Sequence, residues 1–420
     1  MDMDMEWVID ESDKRSTDSV LRKIFADLYK AFDNANTNDV EYILNTYGQT
    51  LLEDEIGYHG NGVAHLAAMF EYDCFDWILK SGGDINETSA FSGYTPLMIA
   101  VVNNSQSMVN TLLCHGVNLE TVDREGHTAL HLAIIYNQVE IAKLLISKQS
   151  NLNVQSRVGL TPLHLAAIHK QAITTKHLID NGAHVNVLDS NTKSPLHHAT
   201  ESGSLPNVIA LMKNGAMHNI FDSTNHSPLI YAIERSHDDI MQFFISSKVK
   251  VNLRGKLGKQ PIHYAAKFAN SSCLATLIAA GADIHSLDNN HNAPLAIAVA
   301  QNRPDNVRLL LHNNAQINQH IGTSILTVAM ESNAVDIVMS LLHEGCKFSE
   351  DDKTNLFNFI NTKVTDQDCK TNLLDMIINP ASLKRTCRRV IRDTFTAKTI
   401  NKLDELPLPT AILQYIYQVP

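Results

Sequence analysis

Twenty histidines and six cysteines stand among the 420 residues, and these are the side chains that most often ligate metals or supply an acid, a base or a nucleophile. Their spacing decides what they do. His65, His131, His164, His197 and His263 lie in one register, 33 residues or a multiple of 33 apart. No C-x-x-C pair, and no H-x-x-x-H beside cysteines, has zinc-like spacing, so the recurring imidazoles read as structural. Cys74, Cys114, Cys273, Cys346, Cys369 and Cys387 show no close pairing and read as reduced thiols. Gly255-Lys256-Leu257-Gly258-Lys259-Gln260 faintly resembles a phosphate loop, but its glycines are too close and Gln260 stands where Ser or Thr must hold magnesium; it reads as a hairpin tip. No catalytic residue, metal or cofactor is expected.

The elements that carry these histidines repeat with them. Counted from the His of a T-P-L-H-type tetrapeptide, the register runs through His65, Met98, His131, His164, His197, Ile230, His263 and Ala296, each 33 residues after the last. A ninth copy follows at Thr327, two residues early. A period of this length marks a stacked-repeat architecture. Within a unit, Thr161 or Ser194 can cap a first helix whose first turn takes Pro162 or Pro195, and Pro206 and Pro304 sit where second helices begin. Apolar pairs at Leu112-Leu113, Leu145-Ile146, Leu178-Ile179, Leu211-Met212, Phe244-Ile245, Leu277-Ile278, Leu310-Leu311 and Leu341-Leu342 should face the neighbouring repeat.

Gly126-His127-Thr128-Ala129-Leu130-His131-Leu132-Ala133 and Gly159-Leu160-Thr161-Pro162-Leu163-His164-Leu165-Ala166-Ala167 resemble the ankyrin signature, and the likeness extends over residues 60–345. It implies an all-α ankyrin-repeat solenoid of nine to eleven repeats, each a helix, turn, helix and hairpin-like loop. In that family the tetrapeptide histidine ties its helix to the adjacent hairpin, and a left-handed residue ends the second helix, here at Gly83, Gly116, Gly182, Gly215, Gly281 and Gly345. Departures are visible. Thr192, Asn225 and His291 replace the glycine before the tetrapeptide, so altered hairpins or weaker units are expected there, and Val63-Ala64 replaces Pro-Leu. Residues 18–59 read as a degenerate opening repeat, with helical Leu28–Leu44 and a long loop before Gly60, and 346–380 as a degenerate final repeat or connector.

Residues 381–420 carry two further motifs. Leu383, Cys387 and Ile391 fall at i, i+4 and i+8, one narrow apolar stripe on a helix whose other faces hold Lys384, Arg385, Arg388, Arg389 and Arg392. Some fourteen residues on, Leu406-Pro407-Leu408-Pro409 forms a proline-locked turn. Together they resemble a SOCS box, a three-helix module: Ser382, Leu383, Cys387 and Ile391 match its Elongin C-binding half, and Leu406, Pro407, Leu408 and Pro409 its cullin half. The alternative is that residues 382–416 form the C-terminal cap of the array that precedes them, with the stripe as core. Cys387, where a cap would sooner use Leu or Ala, and the LPLP run stand against it.

Composition bounds the rest. With 34 basic against 45 acidic residues the net charge is −11, which argues against nonspecific nucleic-acid binding. No apolar run approaches the ~20 residues of a membrane helix, and the acidic MDMDMEWVIDESDK start is unlike a signal peptide. A cytoplasmic location, or a nuclear one, is expected. Residues 1–17 should be disordered, with Trp7, Val8 and Ile9 able to dock on the first repeat.

Jointly, the two modules resemble the ankyrin repeat and SOCS box family. The resemblance implies a non-catalytic adaptor of a cullin-RING ubiquitin ligase, whose box recruits Elongin C with Elongin B, cullin-5 and its RING subunit, and whose repeats select a substrate protein. Substrate contacts would come from the concave face and from hairpin tips at Arg124-Glu125, Ser156-Arg157, Ser190-Asn191, Ser223-Thr224, Lys256-Leu257 and Asn289-Asn290, expected to be exposed. Two other classes compete: an ankyrin scaffold or sequestering protein whose C-terminus is a cap, and an ankyrin effector with an F-box-like tail around Leu403 and Leu406.

Overall fold

The computed structural model describes residues 18–52, 60–268, 271–317 and 324–344, and, from 346 to 374, positions 346, 349–365, 367, 370, 371 and 374. Every regular element among them is an α-helix, and the chain divides into two compact units, Met1–Met217 and His218–Pro420. The array is an ankyrin-repeat solenoid in class.

In the first unit, helices Asp18–Asp33 and Thr37–Leu52 form the opening pair. Both run well past the Leu28–Leu44 core of the sequence reading, so the first part of the stretch expected as a loop before Gly60 is helical. The pair is tied to the next repeat by aromatic packing: Tyr29 meets Phe70 edge-on at 4.9 Å between centroids, and Phe32 lies 5.3 Å from Tyr72. Five regular pairs follow: Val63–Met69 with Phe75–Lys80, Pro96–Val102 with Gln106–Cys114, Ala129–Ile135 with Val139–Ser147, Pro162–Ile168 with Ala172–Asp180, and Pro195–Ser202 with Leu205–Lys213. The second unit holds Pro228–Glu234 with Asp238–Ser246, Pro261–Lys267 with Ser271–Ala279, Pro294–Ala300 with Pro304–His312, and Ile325–Glu331 with Val335–His343. Helix Glu350–Lys363 then buries Leu356 and Ile360, and Asp352 accepts the Thr327 hydroxyl at 2.8 Å.

Helices of six to nine residues are too short to persist alone in water. They persist because each first helix is buried almost throughout: Pro162, Leu163, His164, Leu165, Ala166 and Ala167 are all buried in one of them. The apolar pairs of the second helices behave less uniformly than their sequence suggested. The first member is fully buried in all eight, while Leu113, Ile179, Met212, Ile245 and Ile278 are only partly so. Consecutive helical residues are ~100° apart, so the second member points off the repeat interface.

Among the described residues, three backbone positions recur from repeat to repeat with left-handed φ. One precedes the tetrapeptide, and there Thr192 (57°), Asn225 (67°) and His291 (60°) take the same conformation as Gly93, Gly126 and Gly159. The hairpins expected to be altered at these substitutions therefore keep their geometry, and the substitutions cost strain, about 1–2 kcal/mol each, instead of shape. A second such position joins the two helices, at Asn104, Asn137, Lys170 and their equivalents. The third ends the second helix, at Gly116, Gly182, Gly215 and Gly281 as expected, and also at Gln149, Lys248 and Asn314; in the first regular repeat it falls on Gly82, not Gly83, because that second helix is short.

The tetrapeptide histidines hold neighbouring repeats together. Nδ1 of His65, His131, His164, His197 and His263 accepts the backbone amide of its own N-cap residue, at 3.1, 3.2, 3.1, 3.1 and 3.0 Å. The proton is thereby on Nε2, which donates from His65 to the Tyr94 carbonyl (2.8 Å), from His131 to Leu160 (3.2 Å), from His164 to Lys193 (3.2 Å) and from His263 to Ser286 (3.1 Å). Met98, Ile230 and Ala296 fill the same position as buried apolar side chains. Burial disfavours the imidazolium and pushes His131 and His164 down to about 4, with His263 also lowered.

Two predictions follow from this packing. A Cβ on Gly159 would lie 2.7 Å from the Ser190 amide nitrogen as well as sitting at φ +79°, whereas at Gly182 nothing lies within 4 Å. Gly159→Ala should lower the melting temperature clearly more than Gly182→Ala, which carries only the left-handed strain of about 1 kcal/mol. Because His131 and His164 are depressed from 6.5 to about 4, the unfolded chain binds more protons than the folded one in that window. Stability is thus fully present above pH 6.5 and falls as the pH drops toward 4, by on the order of 3 kcal/mol per histidine. Melting curves against pH should show this fall, and His164→Met, which copies the native residue at position 98, should make it shallower.

Candidate functional site

Four hairpin tips are built on a buried aspartate at the base, while Gly255 holds that position in the tip of Lys256 and Leu257. Asp123 accepts the amides of Glu125 (2.8 Å) and His127 (2.7 Å), and Asp189 those of Asn191 (2.8 Å) and Lys193 (2.9 Å). In the second unit Asp222 accepts Thr224 and His226, both at 2.9 Å, and Asp288 accepts Asn290 (2.9 Å) and Asn292 (2.8 Å). The carboxylate satisfies amides that the tight turn leaves unpaired, an Asx-type turn. Neighbouring tips are then pinned backbone to backbone: Arg124 donates to the Ser92 carbonyl (3.2 Å), Arg157 to Glu125 (2.9 Å), Ser190 to Val158 (3.0 Å) and, in the second unit, Asn289 to Leu257 (3.0 Å).

Of the residues expected at the tips, Arg124, Glu125, Arg157, Ser190, Asn191, Ser223, Thr224, Lys256 and Asn289 are exposed. Ser156 is the correction. It stands at the register position of Asp123 and Asp189, is buried, and its hydroxyl accepts the Leu160 amide at 3.2 Å, so it shapes the tip and presents nothing. Thr224 also turns partly inward, donating its hydroxyl to Asp222 at 2.8 Å. Missed by the sequence reading were the exposed apolar residues Phe91, Val122, Val158 and Leu188, all in tip loops of the first unit. Their signal was an apolar side chain in a loop outside the helix periodicity. Ser382, Leu383, Cys387, Ile391, Leu406, Pro407, Leu408 and Pro409 lie outside the described residues.

Beside the tips lie titratable side chains. In the first unit His198 Nε2 meets Asp189 at 2.8 Å, and Lys193 meets Glu201 at 2.7 Å. In the second, Tyr231 donates to Asp222 at 2.6 Å, and His226 lies between the rings of Tyr231 and Tyr264, each 5.4 Å away. The Glu234 carboxylate, 3.3 Å from His226 Nε2, raises that imidazole above its ordinary value against the opposing effect of burial. No group of three metal-ligating side chains gathers among the described residues. No helix among them is long and apolar enough to cross a membrane. Within each unit the arrangement is a set of hydrogen-bonded loops that present side chains to solvent.

Comparison with known proteins agrees with this geometry. Ankyrin-repeat models match residues 64–156, 148–222, 217–288 and 262–352, and a SOCS-box model matches 379–416. The fold and the repeats define an ankyrin-repeat protein. With the second module at 379–416, the chain belongs to the ankyrin repeat and SOCS box family. Among curated relatives, the Arabidopsis thaliana potassium channel AKT2/3 is 27% identical over 135 residues, 32% of this chain and 17% of the channel. The fowlpox virus ankyrin repeat protein FPV230 is 39% identical over 61 residues, 14% of this chain and 32% of that protein, so the chain spans under a third of the length of these two. Among solved structures, the human ASB11 ankyrin repeat domain is 25% identical with a TM-score of 0.48, covering 51% of this chain and 97% of its own; the Bcl-3 ankyrin domain is 27% identical with a TM-score of 0.48, covering 52% and 99%.

Ankyrin repeats and SOCS boxes are modules of interaction, not catalysis, and the buried histidines here have structural work in each repeat. The tip geometry yields a prediction. Asp189→Ala leaves the amides of Asn191 and Lys193 without their acceptor and should destabilise the first unit by about 1–3 kcal/mol, read as a fall in melting temperature. Asn191→Ala, on the exposed tip, should shift it by under about 0.5 kcal/mol.

Proposed function

We propose that the chain is the substrate-recognition adaptor of a cullin-RING ubiquitin ligase. The observation that carries this is the SOCS-box match at 379–416, in which the Leu383, Cys387 and Ile391 stripe and the Leu406-Pro407-Leu408-Pro409 run fall together. Residues 381–420 are the box, 346–380 the connector and 60–345 the recognition array. Leu383 anchors on Elongin C, with Ser382, Cys387 and Ile391 beside it; Elongin C comes with Elongin B. The LPLP segment faces the cullin, cullin-5 with its RING subunit. Exposed tip residues of the array contact the substrate.

The mechanism is proximity. Holding a substrate lysine near the charged ubiquitin-conjugating enzyme raises its effective concentration to roughly millimolar, so the adaptor needs no reacting group of its own. The rigid tips favour this role, since a preorganised surface loses little entropy on binding. The complex works in the cytoplasm or nucleus.

Purified full-length chain should co-elute with Elongin B/C. Burying one Leu contributes about 1.5–3 kcal/mol, so Leu383→Asp with Cys387→Asp should weaken the complex by at least roughly tenfold without lowering the melting temperature of the array. Retention of Elongin B/C by the double variant would sink the adaptor reading; unfolding of the array would show the segment to be a cap.

A further inference from the structure

The second unit carries a histidine whose surroundings are the reverse of those in the tetrapeptides. At His131 or His164 one ring nitrogen accepts a backbone amide, and the imidazole is neutral. His226 has an acceptor at each nitrogen. Its Nε2 lies 3.3 Å from a Glu234 carboxylate oxygen, and its Nδ1 lies 2.8 Å from the Thr224 hydroxyl oxygen. That hydroxyl has a single proton, which it donates to Asp222 at 2.8 Å. The Thr224 oxygen is therefore an acceptor toward the ring, and Nδ1 as well as Nε2 must carry hydrogen.

Asp222 makes the direction of this chain firm. It is 4% exposed, and the carboxylate oxygen that takes the Thr224 hydroxyl also takes the amides of Thr224 and His226, both at 2.9 Å. Its other oxygen accepts the Tyr231 hydroxyl at 2.6 Å. A carboxylate so placed only accepts, and turning the Thr224 proton toward the ring would leave two oxygens 2.8 Å apart with no hydrogen between them. A buried carboxylate also needs a positive charge nearby, and the imidazolium is one hydroxyl away. The rings of Tyr231 and Tyr264 flank His226 at 5.4 Å each, a setting that suits a cation. Lys259 brings a like charge to this side, its ammonium 6.0 Å from the Tyr264 centroid. Glu234, with Asp222 acting in the same sense, nevertheless raises the imidazole above its ordinary value against burial.

We propose that Asp222, Thr224, His226 and Glu234 form a proton-linked latch, in which an imidazolium holds the 222–226 tip against the helix Pro228–Glu234 and loosens it when deprotonated. Three hydrogen bonds join the four side chains, and three protons fill them. When the ring loses its Nδ1 proton, the Nε2 proton stays with Glu234, and the Thr224 hydroxyl can serve Asp222 or Nδ1 but not both. One link is lost either way. Because the folded-state value lies above 6.5, this stabilisation is fully present below 6.5 and disappears as the pH rises through the folded value, opposite in sign to His131 and His164. The Asp288 tip supplies an internal contrast: Asp288 accepts the Asn290 and Asn292 amides in the same way, but Asn292, which does not titrate, stands where His226 does. The latch concerns the tip itself and does not depend on the adaptor reading.

The test uses the purified full chain with isotope-labelled histidines, and His226→Gln to assign the ring signals. Long-range proton–nitrogen spectra should show both ring nitrogens of His226 protonated below pH 6.5, and a titration midpoint above it. Thr224→Val, which keeps the shape and removes the oxygen, should lower that midpoint, and Thr224→Ser should restore it. Protection of the Thr224 and His226 amides from hydrogen exchange, corrected for the intrinsic rate at each pH, should fall about fivefold as the pH passes the midpoint, the size of one lost hydrogen bond. Protection at Asn290 and Asn292 should stay level, and His226→Gln should remove the pH dependence at Thr224. A midpoint at or below 6.5, a ring protonated at Nε2 alone below that pH, a midpoint that Thr224→Val leaves in place, or protection at Thr224 and His226 that tracks Asn290 and Asn292 would each overturn the latch. All but the third are read on the parent chain, so they decide the matter even where a variant fails to fold.

Discussion

The hydrogen bond from a buried imidazole to the carbonyl of the next repeat is the constraint around which the array is organised. Its donor nitrogen is forced by the other ring nitrogen, which accepts the N-cap amide, so one neutral side chain closes the start of its own helix and fastens the following loop. Helices this short cannot bury their apolar stripe within a single unit. The histidine therefore works with the packing: the apolar first helices bring repeats together, and the imidazole sets the angle and register at which they meet. Where Met98 or Ile230 takes its place, the bond is gone and only the buried volume remains, which shows that packing carries the bulk of the interface and the imidazole its direction.

The tips follow from the same division between base and surface. A buried aspartate, or Ser156 in its place, takes the amides of the turn, and left-handed residues complete the reversal. Once the base is satisfied, the side chains at the tip have little structural duty beyond a few bonds such as those of Arg124 to Ala90, Thr224 to Asp222 and Asn289 to Lys256. They are free to vary in chemistry, and they do, from Arg124-Glu125 to Arg157-Val158 to Ser190-Asn191. A scaffold that holds its backbone rigid while leaving its outermost side chains unconstrained is suited to selecting a partner. It is poorly suited to catalysis, which needs several reacting groups held against one another.

An adaptor needs only two surfaces at a fixed relation in one chain: one for the machinery and one for the client. The box motifs at 382–409 and the array account for these separately, and neither requires a titratable group in a special state. Strongly shifted groups such as His131, His164, Cys273 and Cys346 are buried, and burial itself is the leading cause of each shift. For these four groups the displaced pKa reports depth in the stack.

The sequence by itself determined the repeat, its period, the caps and prolines of its helices, and the structural part played by the recurring histidines, because these depend on local spacing and on the steric demands of single residues. It also displayed both motifs of the box, which are linear patterns. Only the tertiary structure decided which tip residues face water. Ser156 and Arg157 are adjacent in sequence, yet one is buried against the turn amides and the other exposed, and nothing in their identities says so. Likewise Thr192, Asn225 and His291 read as breaks in a glycine pattern, and the stack holds all three in the glycine's conformation. The contacts of neighbouring repeats outweigh a local strain of about 1–2 kcal/mol. The gathering of Phe91, Val122, Val158 and Leu188 on one edge was hidden for the same reason: residues about 30 apart in sequence become neighbours only when the repeats stack.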